Sequence, residues 1–281
     1  ARYGIDHAVY NDASFDVWKH YEVKGWPTLI LLAPDGETIW RYFGEAPYDA
    51  VAKAVTSAID KYDGQIKAQP LPVKETVKSA AKESAYYYPS KIIALDKGGF
   101  ALSDSGHDAI VILNGAGQEV KRYSGFSAPQ GLAYDGAQNF LYVADTGNHQ
   151  LKRINLKNDK IKVLIGRAAK RGPIVKGRAA KGVKSHLASP WDITFFDGQL
   201  IIANAGTHQL LSYDIARDKL SVFAGNGGES IDDGSYPQNS LSQPSAFAVM
   251  GKYLYFLDAE TSALRRVDRD GNIKTLIGTG L

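Results

Sequence analysis

Between Pro89 and Gly278 short apolar runs recur in a fixed order, each bounded by Gly, Asn, Asp or Ser. The first round passes from Pro89 through Ile92-Ile93-Ala94-Leu95, Phe100-Ala101-Leu102-Ser103-Asp104 and Ile110-Val111-Ile112-Leu113 to Val120 and Gly125. The second begins at Pro129 and repeats the order at 141–145, 151–154 and 161–166. The third begins at Pro190 with runs at 200–204, 210–213 and 220–225, and the fourth at Pro244 with runs at 254–258, 264–267 and 273–278. Runs of four to six Val, Ile, Leu, Tyr and Phe between turn formers predict strands and leave no room for a helix. Each copy therefore reads as a four-stranded antiparallel meander. Its second strand is nearly continuous in apolar residues while the fourth alternates (Ile161, Val163, Ile165 against Lys162 and Leu164), so burial is expected to fall from the hub outward.

A period of about forty residues with this content points to a β-propeller, each meander being one blade. The blades fall at about 88–125, 128–166, 189–225 and 243–278 within a propeller spanning 88–281. Because the fourth copy stops where another should begin, the four are expected to belong to a larger ring.

Residues 1–64 follow a different pattern. His7-Ala8-Val9-Tyr10 reads as a short strand and 14–21 as a helix with Val17 and Trp18 inward. Strand 28–32, the turn Pro34-Asp35-Gly36-Glu37 and strand 38–43 come next. A helix over 48–62 follows, with Val51, Val55 and Ile59 spaced by four. Residues 65–87 contain Gln69-Pro70-Leu71-Pro72, which disfavours helix, and are expected to form a linker, with 73–85 a short helix or an extended strap. The mainly β chain is thus read as a propeller preceded by a small α/β part.

Composition agrees: 281 residues, 44% apolar and 22% charged, with 28 Gly for a turn-rich fold. No apolar run approaches the ~18 residues that span a bilayer. No cysteine is present, so thiol catalysis, disulfides and thiolate metal sites are excluded from these residues. Arg167, Lys170, Arg171, Lys176, Arg178, Lys181 and Lys184 lie together without an acid among them, and their removal would turn the net charge from +3 to −4. The unit Gly166-Arg167-Ala168-Ala169-Lys170 returns as Gly177-Arg178-Ala179-Ala180-Lys181 in a connection too long for a tight turn. Such a segment attracts acidic protein surfaces or other polyanions. Nucleic acid is not expected, because no aromatic residue interleaves to stack on bases.

Asp104, Asp145, Asn204 and Asp258 end equivalent strands, where a short side-chain oxygen is expected to bond N–H groups of the following turn. Gly106, Gly147 and Gly206 two residues later are expected to supply positive φ. His149 and His208 hold equivalent places, which fits a shared structural hydrogen bond better than a metal site. Trp191 reads as a filler between blades or as a residue at a loop mouth facing a ligand. No cofactor or metal is expected.

The stretch Tyr21-Glu22-Val23-Lys24-Gly25-Trp26-Pro27-Thr28-Leu29, in its β-α-β-β-α setting, resembles the C-terminal half of a thioredoxin-like domain. The resemblance implies a cis bond before Pro27 and a substrate groove bordered by Trp26, Pro27 and Thr28. It also implies that the strand, helix and Cys-x-x-Cys of that fold lie upstream of this chain. Together with Asp145-Thr146-Gly147-Asn148-His149, Ser189-Pro190-Trp191-Asp192, Ala205-Gly206-Thr207-His208-Gln209 and Gln243-Pro244-Ser245, the chain resembles the NHL-repeat-containing protein 2 family. That resemblance implies a six-bladed NHL propeller. Two functions are consistent with it: a scaffold binding a protein or small ligand on the propeller face, or a thiol–disulfide oxidoreductase whose cysteines lie outside these residues.

Overall fold

In the computed structural model residues 12, 14–25, 27–44, 46–66, 84–166, 180–182 and 185–278 are described, and the chain divides into two units, Ala1–Lys82 and Glu83–Leu281. The expected strand at 7–10 and most of the 65–87 connection lie outside the described residues.

The first unit contains α1 (Asp16–His20), β1 (Thr28–Leu32), β2 (Thr38–Phe43) and α2 (Tyr48–Lys61). The Asp12 carboxylate accepts the amides of Val17 and Trp18 at 3.1 and 2.8 Å, satisfying donors that the first turn of a helix leaves open. β1 and β2 form an antiparallel hairpin with Thr28 opposite Phe43, closed by the predicted turn at 34–37. The apolar stripe of α2 departs from expectation. Val51, Ala54 and Ala58 are partly buried, whereas Val55 and Ile59 remain exposed. A two-stranded sheet is too narrow to cover the whole stripe, and a cavity of about 510 Å³ lies among Leu31, Ile39, Trp40, Ala50, Ala54 and Ala58.

The second unit is four antiparallel sheets, each in sequential strand order. Blade 1 is β3 (Pro89–Ala94), β4 (Phe100–Asp104), β5 (Ala109–Leu113) and β6 (Glu119–Tyr123); blade 2 is β7 (Pro129–Asp135), β8 (Phe140–Asp145), β9 (Gln150–Asn155) and β10 (Lys160–Ile165). The two-residue β11 (Ala180–Lys181) precedes blade 3, which is β12 (Pro190–Phe196), β13 (Gln199–Asn204), β14 (Gln209–Asp214) and β15 (Lys219–Ala224). Blade 4 is β16 (Pro244–Met250), β17 (Tyr253–Asp258), β18 (Ala263–Val267) and β19 (Ile273–Ile277). The inner strands β3, β7, β12 and β16 pack in succession, and apolar cores fill the three blade junctions.

Burial does not fall steadily from the hub. It peaks in the second and third strands, while β3 is largely exposed and β16 is exposed over its last three residues. The same order holds in blades 2 and 3, where β8, β13 and β14 are more continuously buried than β7 and β12.

The Asp/Asn positions fasten each blade, though differently from the expectation. Their Oδ1 atoms reach back to the amide two residues before the leading proline: Tyr87 to Asp104 at 2.7 Å, Ser127 to Asp145 at 2.7 Å, Ala188 to Asn204 at 2.9 Å and Ser242 to Asp258 at 2.8 Å. The carbonyl of that same residue accepts the amide of Gly106, Gly147, Gly206 or Glu260, at 2.7, 2.8, 3.0 and 3.1 Å. The three glycines do not have positive φ; that conformation falls two residues later, at Asp108, His149, His208 and Ser262. Glycine is needed instead for clearance, since a Cβ on Gly147 would lie 2.5 Å from Ser127 Oγ and 2.8 Å from its carbonyl oxygen. On this basis Gly147→Ala should lose about 1–3 kcal/mol by chemical denaturation, whereas Glu260→Ala, where a side chain is already accommodated, should stay within about 0.5 kcal/mol.

Candidate functional site: the turn face of the propeller

The fastening carboxylates are fully buried, and each finds a cation through Oδ2. Asp104 accepts Arg122 Nη1 at 2.7 Å and meets His107 Nδ1 at 2.8 Å. Asp145 meets Lys152 Nζ at 2.6 Å and accepts the Asn148 amide at 2.8 Å. Asp258 meets Arg265 Nη1 at 2.9 Å. Blade 3 is the exception: Asn204 carries no charge, and Leu211 stands at the place of Lys152 and Arg265 in the repeat. Its side-chain amide is used by Thr207 Oγ1 at 2.5 Å. The cation is thus present where the strand ends in Asp and absent where it ends in Asn, as the cost of burying an unpaired carboxylate requires. In blade 1 that place holds Val111 and the cation comes from Arg122 instead, so the column pairs Asp with a cation only in blades 2 and 4.

Arg265 is fully buried and also donates to the carbonyls of Ser240, Ile231 and Asp232 at 2.7, 3.2 and 2.8 Å. It thereby anchors the 226–243 connection, which Asn239 secures further by donating to the carbonyls of Gly234 and Gly271, both at 2.9 Å. Burial raises the pKa of Asp258 above the usual carboxylate range although Arg265 and the Ser242 amide oppose it. At Asp104 burial acts in the same direction, but the Tyr87 amide, Arg122 and His107 together hold the carboxyl below that range.

The predicted site residues separate into several places. His149 Nδ1 accepts the Ser189 amide at 3.0 Å, joining blade 2 to the lead-in of blade 3, and Asp108 Oδ1 does the same for Ala128 at 2.7 Å. The expected sharing of this bond by His208 is not found: its Nδ1 is buried without a hydrogen-bond partner. Trp191 is half-buried on β12. Of the basic segment only Lys181 is described; Arg167, Lys170, Arg171, Lys176, Arg178 and Lys184 lie outside the described residues. Lys181 is exposed in β11, which pairs with the outer strand of blade 3 and sets Lys181 opposite Lys219. Sequence gave no sign of this fifth strand, which is too short to form a run. Trp26, and with it the peptide bond before Pro27, is also outside the described residues. Thr28 opens β1, its hydroxyl donating to Gly25 O at 2.6 Å, while Pro27 O accepts the Gly44 amide at 2.8 Å. No group of three or more metal-ligating side chains occurs among the described residues. Among these residues, too, no helix is long and apolar enough to cross a membrane.

Four such meanders, their shared fastening and the match of residues 126–154 to the NHL repeat define a protein of the NHL-repeat β-propeller class. Within that class the chain is similar over nearly its whole length to the NHL repeat-containing protein 2 family. It is 31% identical over 321 residues to NHL repeat-containing protein 2 of Homo sapiens, an alignment covering 99% of this chain and 43% of that protein. It is 33% identical over 304 residues to Protein SUPPRESSOR OF QUENCHING 1, chloroplastic, of Arabidopsis thaliana, covering 99% of this chain and 28% of that one. The chain therefore spans less than half the length of these relatives. An auxiliary nutrient binding protein from Bacteroides ovatus shares the fold at a TM-score of 0.53 and 13% identity, over 69% of this chain and 48% of that structure.

Two outcomes test the electrostatic reading. Asn204→Asp should cost about 2–4 kcal/mol in denaturant unfolding, because it buries a carboxylate without a cation, and Leu211→Lys in the same chain should recover part of that loss. In a carboxylate NMR titration Asp104 should ionise below, and Asp258 above, the unperturbed value near 3.9. The depressed pKa of Asp104 contributes stability that is present above that value and lost as pH falls through its folded pKa; the raised pKa of Asp258 acts oppositely.

Proposed function

We propose that this chain is a binding scaffold: a propeller over residues 88–281 whose rigid turn face presents variable loops to a protein or small ligand, linked through 65–87 to a thioredoxin-like module at 1–64. The observation that carries this reading is that the repeated polar side chains of the turns are spent on fastening the blades. What varies between blades, namely Trp191 and the 226–243 connection, is thereby held on a fixed frame, and the basic residues from Arg167 to Lys184 fall in sequence between two such blades.

The propeller is read as continuing to six blades. The bare face of blade 4 carries Tyr255, Leu257, Leu264, Leu276 and Ile277 at the places where blade 2 carries Tyr142, Ala144, Leu151, Leu164 and Ile165, which are buried against blade 3. Leu257, Leu276 and Ile277 are exposed. Blade 1 carries Ile92, Phe100, Leu102, Val111 and Leu113 where blade 3 carries Ile193, Leu200, Ile202, Leu211 and Tyr213, but Leu102, Val111 and Leu113 are buried with Tyr86 and Phe100 packed against them. The exposed apolar face of blade 4 supports a further blade packed on it.

A redox reading has its own support in Trp26, Pro27 and Thr28, whose family places them beside the cysteines, and in β1, whose outer edge pairs with no strand among the described residues. A longer form of the protein that includes the thioredoxin cysteines should then turn over dithiol in an insulin-reduction assay; absence of turnover sinks that reading. For the scaffold reading, polyglutamate is the probe. Its affinity should fall at least about tenfold between 50 and 300 mM salt, and by a similar factor on replacing Lys170, Arg171, Arg178 and Lys181 with Ser. Unchanged affinity would remove the basic segment from the binding surface.

A further inference from the structure

We infer that Lys91 and Asp192 form a clamp across the hub that holds blade 1 against blades 3 and 4 and sets the curvature of the arc. Lys91 Nζ lies 2.7 Å from Asp192 Oδ2, a contact between residues 101 apart in sequence and two blades apart in space. The same Oδ2 accepts the Phe247 amide of β16 at 2.8 Å, and Oδ1 accepts the Ile193 amide at 2.9 Å. The blade between them comes close because of Gly131, where a Cβ would stand 2.5 Å from Asp192 Cα and 2.8 Å from its Oδ1. One carboxylate, only 2% exposed, is therefore touched by all four blades.

The features that build a blade repeat from blade to blade, but this one does not. Lys91, Gly131, Asp192 and Ala246 occupy the same place, two residues after the leading proline, and each is different. A position that varies while its surroundings repeat does work for the ring rather than for the blade. Burial pushes the Asp192 carboxyl upward against the pull of Lys91 and of the Phe247 and Ile193 amides, which marks the charge as costly and the lysine as its compensation. The curvature matters because it sets the angle at which the exposed apolar face of blade 4 is presented.

The absence of cysteine allows a clean test, with Val120→Cys on exposed β6 and Asp270→Cys in the β18–β19 turn carrying spin labels. Lys91→Met should lower Tm by about 10 °C, since it strands a buried charge, and should at least double the width of the inter-label distance distribution. Adding Asp192→Asn should restore part of the Tm but not the narrow distribution. If Lys91→Met fails to fold while the double variant folds, the clamp is supported. The inference is overturned if Lys91→Met folds with an unchanged distribution, if the two Tm losses simply add, or if neither variant folds, which would make the lysine a packing residue.

Discussion

The carboxamide or carboxylate that closes the second strand of each blade is the contact on which the propeller depends. Its Oδ1 takes the amide two residues ahead of the leading proline, and the following turn returns an amide to that residue's carbonyl. A connecting segment with no regular partner of its own is thereby satisfied on both sides, which is what burial of backbone polar groups demands. The remaining geometry follows. The residue before proline takes positive φ, from 43° to 63° across the four blades, and the chain can then drop into the inner strand at the same angle each time. Fixing that angle is what lets successive blades present alternating apolar faces to one another.

The same contact imposes an electrostatic condition. A buried carboxylate needs a cation, and the chain supplies one from the fourth strand in blade 1 and from the third strand in blades 2 and 4. Where blade 3 substitutes Asn204, the cation is dispensed with and Leu211 joins the apolar junction with blade 2. Two chemically different solutions thus hold the same backbone geometry, and the choice between them determines how much of the blade interior is polar.

Strand order and blade number were legible because each apolar run is bounded by turn formers and the order recurs four times. The role of Gly106, Gly147 and Gly206 was not, since a glycine needed for clearance looks the same in sequence as one needed for positive φ. The fastening partners lie 16 to 18 residues upstream of the Asp or Asn, in a segment with no pattern of its own. The burial gradient differs from the expectation even in blades 2 and 3, because periodicity reports which residues a strand is suited to bury, not how far its neighbours cover it. His149 accepts the Ser189 amide, while His208, identical in its local sequence position, makes no such bond through Nδ1.

The contrast between repeated and unrepeated positions separates what builds each blade from what differs between blades more sharply than residue type does. Asp104, Asp145 and Asp258 look reactive and are spent on the fold; Lys91 and Asp192 look incidental and join four blades at one point. By the same reasoning the places where binding can differ from one NHL protein to another are the unrepeated loops, because a substitution there leaves the fastening bonds intact. The basic segment between blades 2 and 3 and the 226–243 connection between blades 3 and 4 meet that condition differently. The latter is fixed by buried Arg265 and Asn239, so its surface is preformed. In the former, exposed Lys181 of β11 stands opposite Lys219 across the outer edge of blade 3, which sets like charges side by side.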